Sequence, residues 1–237
     1  MSTQRFKLGR LDATRPFGLS DLTVYAAGKL PAPPASVAVP NAQYPIDGND
    51  QYGDCTMAGA AHLVAAWDTE VGATDPVPLG VEVVDTYLQL TGGADTGLNE
   101  ADVLQTWATT GLFGAKIAAY APVDPSKIVE LHQAVALYGG CYLGIACPES
   151  AQNQFGNNEP WTYVPGSPIE GGHCIVALGY TANELLCATW GGIAPVSYSF
   201  LAHFLQEAWA VIPNQFVEAG KGPELDLAAL RADLKLV

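Results

Sequence analysis

The chain of 237 residues is 49% hydrophobic and 14% charged, which is enough apolar material for one full-sized domain and argues against a disordered protein. Ten Lys and Arg residues against 24 Asp and Glu residues give a net charge of −14. This charge repels phosphate backbones and anionic lipid, so we expect neither nucleic-acid nor membrane partners. No stretch is apolar for long enough to span a bilayer, and no apolar core follows the early basic residues, so we expect no signal peptide.

Residues 1–46 predict an extended arm, because five prolines between positions 31 and 45 prevent a helix and favour polyproline II. Such arms usually lie across their own domain, and a pro-segment or a docking arm for a partner is the alternative. Residues 48–53 have the composition of a turn. They lead into the small, apolar residues 55–67, which predict a buried central helix with Asp54 as its N-cap.

The middle of the chain alternates between predicted helices and strands. Residues 81–90 predict either a helix or a strand, since periodicity does not separate the two. Helices are predicted over 100–110 and 125–138, and strands over 116–120 and 141–146.

The second half is richer in strands. A polar loop is predicted over 149–172, and it precedes a hairpin of strands 173–180 and 185–190 with a four-residue turn. A helix over 199–207 and a strand over 208–212 follow.

Leucines at helical spacing predict one amphipathic helix over 226–236. We therefore divide the chain into the arm, a core domain over 47–214 and a C-terminal tail over 215–237. Helices come first and hairpin strands later, which predicts an α+β fold rather than alternating βαβ units.

The cysteines give no sign of a metal site or another cofactor, because their number is odd and no pair has the Cys-x-x-Cys spacing. Four of them are expected to pack in the core. Cys55 differs because it begins a helix, where the helix dipole and free N–H groups favour the nucleophilic thiolate. The alternative is a cysteine that only packs at the helix start. The five are Cys55, Cys141, Cys147, Cys174 and Cys187.

A thiolate nucleophile needs a base within hydrogen-bond reach. His62 follows Cys55 by seven residues on the same predicted helix, about 10 Å along its axis, which is too far for proton transfer. His173 follows two glycines and opens a strand beside the polar loop, so it is the candidate base. An ordinary strand-end histidine is the alternative.

Two blocks of sequence together resemble the papain-like cysteine peptidases. The first is Gly-Asn-Asp-Gln-Tyr-Gly-Asp-Cys-Thr at 48–56, and the second is 172–180 followed by Ala-Thr-Trp-Gly-Gly at 188–192. The resemblance implies an α+β fold in which a central N-terminal helix packs on a C-terminal antiparallel sheet or barrel. The whole chain also resembles uncharacterised bacterial and phage-associated proteins.

The resemblance implies a role for each matching residue. Cys55 matches the nucleophile and His173 the base, while either Asn49 or Gln51 is expected to donate to the oxyanion. Trp190 matches the aromatic residue that shields the histidine, and Thr189 beside it is expected to share that role. From the polar loop, Trp161 is expected to form part of a cleft wall.

The third catalytic position departs from the superfamily, which orients its histidine with Asn or Asp. Unbroken hairpin pairing puts Ala188 on the face of His173, and Thr189 on the opposite face unless the register is broken. A methyl group accepts no hydrogen bond. The site is therefore a Cys/His dyad, or has another orienting residue, or is degenerate.

The resemblance implies a Cys/His hydrolase that cleaves a peptide or a related amide or ester bond through an acyl-thioester, with a peptide or protein as substrate. The alternative is a catalytically degenerate papain-like protein with a structural or binding role, such as a phage virion component. In that case the arm and the C-terminal helix would contact a protein assembly partner. The expected location is cytoplasmic or virion-associated.

Overall fold

The computed structural model describes residues 5–16, 18–26, 30–72, 80–220 and 225–235. Within these residues the helices are α1 (Leu22–Tyr25), α2 (Cys55–Val71), α3 (Gly80–Leu90), α4 (Glu100–Thr109), α5 (Ile128–Tyr138), α6 (Glu149–Gly156), α7 (Tyr198–Phe204), α8 (Asn214–Glu218) and α9 (Leu227–Asp233). The strands are β1 (Ile117–Pro122), β2 (Cys141–Pro148), β3 (Ile169–Tyr180), β4 (Glu184–Thr189), β5 (Gly192–Ser197) and β6 (Leu205–Pro213). No helix in these ranges is long and apolar enough to cross a membrane.

The six strands form one antiparallel sheet in the order β1-β6-β2-β3-β4-β5. The predicted α+β fold is confirmed, with the helix-rich half of the chain packed on a later sheet. The middle strands β2 and β3 are buried along most of their length, which explains their nearly continuous apolar sequence.

The central helix α2 packs directly on β3. Every residue from Cys55 to Trp67 is buried, so the helix is enclosed by protein on all sides up to its last turn. Gly59 makes this close packing possible, because a Cβ there would lie 2.9 Å from the ring of Tyr142 and 3.1 Å from the sulfur of Cys174. The helix ends at Gly72, whose φ of 69° is in the left-handed region.

Several segments differ from the sequence predictions or go beyond them. The predicted loop over 149–172 contains α6 and the start of β3, because a short polar helix carries no apolar periodicity. The strand β5 was not predicted, and its Pro195 is tolerated because β5 is an edge strand. The ambiguous segment 81–90 is a helix.

The described parts of the arm and tail pack on each other and on the sheet. The N–H of Asp226 donates to the carbonyl of Tyr25 (2.9 Å), and the Tyr25 hydroxyl donates to Asp233 (2.7 Å). Leu230 of α9 is fully buried, and Arg231 Nε donates to the carbonyl of Ala118 in β1 (2.9 Å). The tail helix is shorter than predicted, and the end of its predicted range, residue 236, lies outside the described residues.

Candidate active site

Cys55 is the first residue of α2, as the sequence predicts. The first turn of the helix, which contains Cys55, is closed by the N–H of Met57, which donates to the carbonyl of Asp54 (2.8 Å). Asp54 occupies the N-cap position as predicted, but its side chain makes no capping hydrogen bond. Burial, together with the nearby charges of Asp47 and Asp95, raises the pKa of this carboxyl group to about 8.

The thiol of Cys55 is enclosed and uncharged in this structure. Burial raises its pKa to about 12, and the carboxylates of Asp54 and Glu100 act in the same direction. Backbone N–H groups of Cys174 and Gly9 donate to the sulfur and partly oppose this rise. The contact with Cys174 brings the thiol next to the residue that follows His173 in β3.

The imidazole of His173 is held on one side and free on the other. Its Nε2 lies 2.8 Å from Oγ1 of Thr189, and its ring stacks on Trp190 with a centroid distance of 4.5 Å. Its Nδ1 has no hydrogen-bond partner among the described residues. Burial and the charge of Arg10 lower the pKa of His173 to about 3, so the ring is neutral.

The contact with Thr189 depends on a bulge. The pairing of β3 with β4 shifts by one residue between Ala177 and Gly179, which reverses the faces of the β4 residues beyond it. Thr189 therefore lies on the face of His173, and the expectation that Ala188 occupies it is wrong. A hydroxyl group stands where unbroken pairing would place a methyl group.

The two candidate oxyanion donors lie in different environments. The side chain of Asn49 is buried, and its Nδ2 donates to the carbonyl of Tyr52 (3.0 Å). Gln51 is exposed to solvent. Of the two amides, Asn49 is the one enclosed with the site.

An aromatic cluster covers the histidine. Phe6 of the arm stacks on Trp190 with centroids 4.8 Å apart, and it meets the ring of Phe155 edge-on at 5.4 Å. The N–H of Phe6 donates to Oε1 of Gln152 (2.8 Å). Trp161 is fully buried behind this cluster, 5.4 Å from Trp190.

Residues 5–11 of the arm lie across the site. An arm that crosses its own domain is expected from the sequence, but no pattern in these residues predicts where it lies. The N–H of Arg10 donates to the carbonyl of Gly172 (3.1 Å), immediately before the candidate base. The N–H of Lys7 donates to the carbonyl of Asn49 (3.0 Å), on the side of the nucleophile. The arm therefore contacts both sequence blocks that carry the resemblance.

The backbone of the arm fits the site closely. The N–H of Leu98 donates to the carbonyl of Gly9, and the N–H of Leu11 donates to the carbonyl of Leu98, each at 3.0 Å in a parallel bridge. A Cβ on Gly9 would lie 1.8 Å from the carbonyl oxygen of Gly53. A Cβ on Gly97 would lie 2.2 Å from the carbonyl oxygen of Gly9. Glycines in the arm and in the segments that face it therefore allow the backbones to pack this closely.

The remaining histidines have local partners away from the thiol. His62 Nε2 lies 2.8 Å from the carbonyl of Pro45 and 3.4 Å from Asp47. His132 stacks on Tyr180. Among the described residues, no group of three or more His, Cys, Asp or Glu residues is arranged to hold a metal ion.

Comparison with solved structures gives similar folds at low sequence identity. Xylellain, a cysteine protease from Xylella fastidiosa, is 16% identical and has a TM-score of 0.65, with 90% of this chain and 99% of that chain covered. The cysteine protease CMS1MS2 of Carica candamarcensis in complex with E-64 is 15% identical and has a TM-score of 0.55, with 76% and 99% covered. ProCathepsin B S9 of Trypanosoma congolense is 10% identical and has a TM-score of 0.58, with 87% and 86% covered.

No protein-family model matches the sequence, and no curated protein matches it significantly. The likeness to solved structures therefore concerns the fold.

Proposed function

From the papain-like fold of this chain, we propose that it is a Cys/His hydrolase acting on a peptide or a related amide or ester bond. The observation that carries the proposal is the state of the His173 ring, with Nε2 fixed on Thr189 and Nδ1 left without a partner. A base that is oriented through one nitrogen and open at the other is what thiol activation requires.

In the proposed reaction, Nδ1 of His173 takes the proton of the Cys55 thiol, and the thiolate attacks the substrate carbonyl. The tetrahedral intermediate collapses when the imidazolium returns the proton to the leaving group, which leaves an acyl-thioester on Cys55. Water then attacks the thioester while His173 acts as the base, and the free thiol is restored. Trp190 stacked on the ring keeps solvent from the hydrogen bond to Thr189.

The oxyanion needs donors in fixed positions. We assign this role to the backbone N–H of Cys55 at the start of α2 and to the side chain of Asn49. Burial of Asn49 and exposure of Gln51 support the choice between the two amides.

The arm sets the charge state of the pair. With residues 5–11 in place, burial raises the pKa of Cys55 to about 12 and lowers the pKa of His173 to about 3, so neither group is charged at neutral pH. Displacement of the arm admits water and removes Arg10 from beside the imidazole. Both pKa values then move toward their ordinary range, which permits a thiolate–imidazolium pair.

The second candidate is a catalytically degenerate papain-like protein with a structural or binding role. It is supported by the neutral, enclosed thiol and by Thr189 in place of an Asn or Asp orienting residue. In this alternative the surfaces of the arm and of α9 would serve an assembly partner, including one in a phage virion.

The test uses the full chain with Gly9→Ala, since a Cβ at this position would collide with the backbone of Gly53. The matched control is Gly156→Ala, because a Cβ at Gly156 meets no atom within 4 Å. We expect Gly9→Ala to make Cys55 the fastest of the five thiols toward iodoacetamide, measured by peptide mapping.

We also expect the Gly9→Ala chain to hydrolyse a mixed peptide library. A second substitution of Cys55→Ser should abolish this activity, and His173→Ala should lower it about 100-fold or more. A Gly9→Ala chain with an unchanged circular dichroism spectrum, uniform thiol labelling and no hydrolysis would establish the degenerate alternative.

A further inference from the structure

The guanidinium of Arg10 is buried in the cleft, with only 1% of its side chain exposed. It donates to Oε1 of Glu207 (2.6 Å) and to the side-chain oxygen of Gln206. It also donates to the backbone carbonyls of Ile145 (3.3 Å) and Leu11 (3.1 Å). A planar group with several fixed donors is matched here by acceptors from β2 and β6.

Neighbouring residues leave space in this pocket for a long side chain. A Cβ on Gly144 would lie 2.6 Å from Cγ of Glu207 and 2.8 Å from Cδ of Arg10, so the absence of a side chain there makes the room. The second carboxylate oxygen of Glu207 accepts from Nε1 of Trp209 (3.1 Å), which fixes the direction of the carboxylate.

A second carboxyl group lies close to the first. Glu100, the first residue of α4, is fully buried, and neither of its carboxylate oxygens has a hydrogen-bond partner among the described residues. Burial raises the pKa of Glu100 well above its ordinary value; the charge of Glu207 raises it further and that of Arg10 lowers it. Arg10, which belongs to the arm, is thus the ion-pair partner of Glu207, and its charge also acts on the buried Glu100.

Resting on the proposed function, we propose that the pocket formed by Glu207, Gln206, Ile145 and Gly144 is a specificity pocket for an arginine side chain of the substrate, and that Arg10 occupies it when the arm is in place. Removal of the arm leaves the buried carboxylate of Glu207 without its cation, and a new guanidinium satisfies it again. Because one carboxylate, one amide oxygen and a carbonyl all accept from the guanidinium, arginine fits better than the single ammonium of lysine.

The first test measures protection of Cys55 in the Gly9→Ala full chain, whose pocket residues are unchanged. The probe is a heptapeptide with the sequence of residues 5–11, and the matched peptide carries neutral, isosteric citrulline at the position of Arg10. We expect the arginine peptide to slow iodoacetamide labelling of Cys55 at about 10- to 100-fold lower concentration than the citrulline peptide. Adding Glu207→Gln should remove most of that difference.

A third peptide, with citrulline at the position of Arg5, controls for charge alone. Arg5 pairs with Glu149 and Glu170 at the surface, with 42% of its side chain exposed, so its replacement should change protection by about threefold or less. Equal protection by the arginine peptide and by the peptide with citrulline in place of Arg10 would overturn the pocket.

A second test does not depend on Gly9→Ala. The Arg10→Ala chain should gain thermal stability from added ethylguanidinium, and an Arg10→Ala/Glu207→Gln chain should gain less. If ethylguanidinium stabilised the Arg10→Ala chain no more than it stabilises the unchanged chain, the result would contradict the pocket. Protection without hydrolysis would reject the hydrolase and keep the pocket, whereas hydrolysis without preference for arginine would reject the pocket and keep the hydrolase.

Discussion

His173 and Thr189 lie on neighbouring strands with Nε2 and Oγ1 2.8 Å apart, and this contact exists because β3 carries a bulge beyond Ala177. The bulge turns the hydroxyl of Thr189 toward the ring in place of a methyl group. A neutral hydroxyl fixes the direction of the imidazole, but it stabilises an imidazolium less than a carboxylate would.

Thr189→Val should therefore lower the activity of the Gly9→Ala chain about fivefold, since one neutral hydrogen bond contributes about 1 kcal/mol. The measurement is kcat/KM on the best library peptide. Thr189→Ser keeps the hydroxyl group and should retain most of the activity. Equal losses in the two variants would show that the hydroxyl does not orient His173.

The stacking of Phe6 on Trp190 should help to hold the arm in the cleft. Removing an aromatic pair costs about 1 kcal/mol beyond the loss of buried area, so Phe6→Ala should speed iodoacetamide labelling of Cys55 by about tenfold or more. Arg5→Ala, which removes only exposed ion pairs, should change the rate by about threefold or less. If Arg5→Ala sped the labelling of Cys55 as much as Phe6→Ala, the surface ion pairs and not the stacking would hold the arm in the cleft.

The raised pKa of Asp54 predicts a dependence of stability on pH. Its pKa is about 8 in the folded chain against an ordinary value of 3.8, so between these values the folded state holds a proton that the unfolded state releases. The contribution of Asp54 to the free energy of unfolding is complete below pH 4. It is lost as the pH rises toward 8, by up to about 1.4 kcal/mol per pH unit.

Asp54→Asn removes this titration, so the free energy of unfolding of the variant relative to the original chain should rise across that pH window. Urea unfolding at several pH values measures the difference. The exposed Asp85→Asn should show no such trend. A parallel pH dependence in Asp54→Asn and the original chain would contradict the raised pKa.

The tail helix should contribute to the stability of the domain. Leu230 is fully buried, so Leu230→Ala should lower the free energy of unfolding by about 2 to 4 kcal/mol. Leu11→Ala, at a position 48% exposed, should cost less than about 1 kcal/mol. A cost at Leu230 as small as that at Leu11 would mean that α9 does not pack stably on the sheet.

Sequence patterns alone predict the fold class and the type of the two elements that carry the candidate site. Small apolar residues after a glycine-rich turn are sufficient to predict that Cys55 begins a buried helix, and an apolar run after two glycines places His173 on a strand. These are local properties, because they depend only on the composition and spacing of neighbouring residues. The catalytic roles of both residues remain predictions.

Which groups surround Cys55 and His173 depends on the folded chain. A one-residue bulge selected Thr189 over Ala188. Gly179 at the bulge is the kind of residue that marks such a site, but a glycine in a strand also marks a close backbone approach and so does not predict the shifted register. The arm reaches the thiol through Gly9, and Arg10 meets Glu207 across 197 positions of sequence. Such contacts depend on how distant backbones meet, and a short extended segment carries no periodicity from which its destination can be predicted.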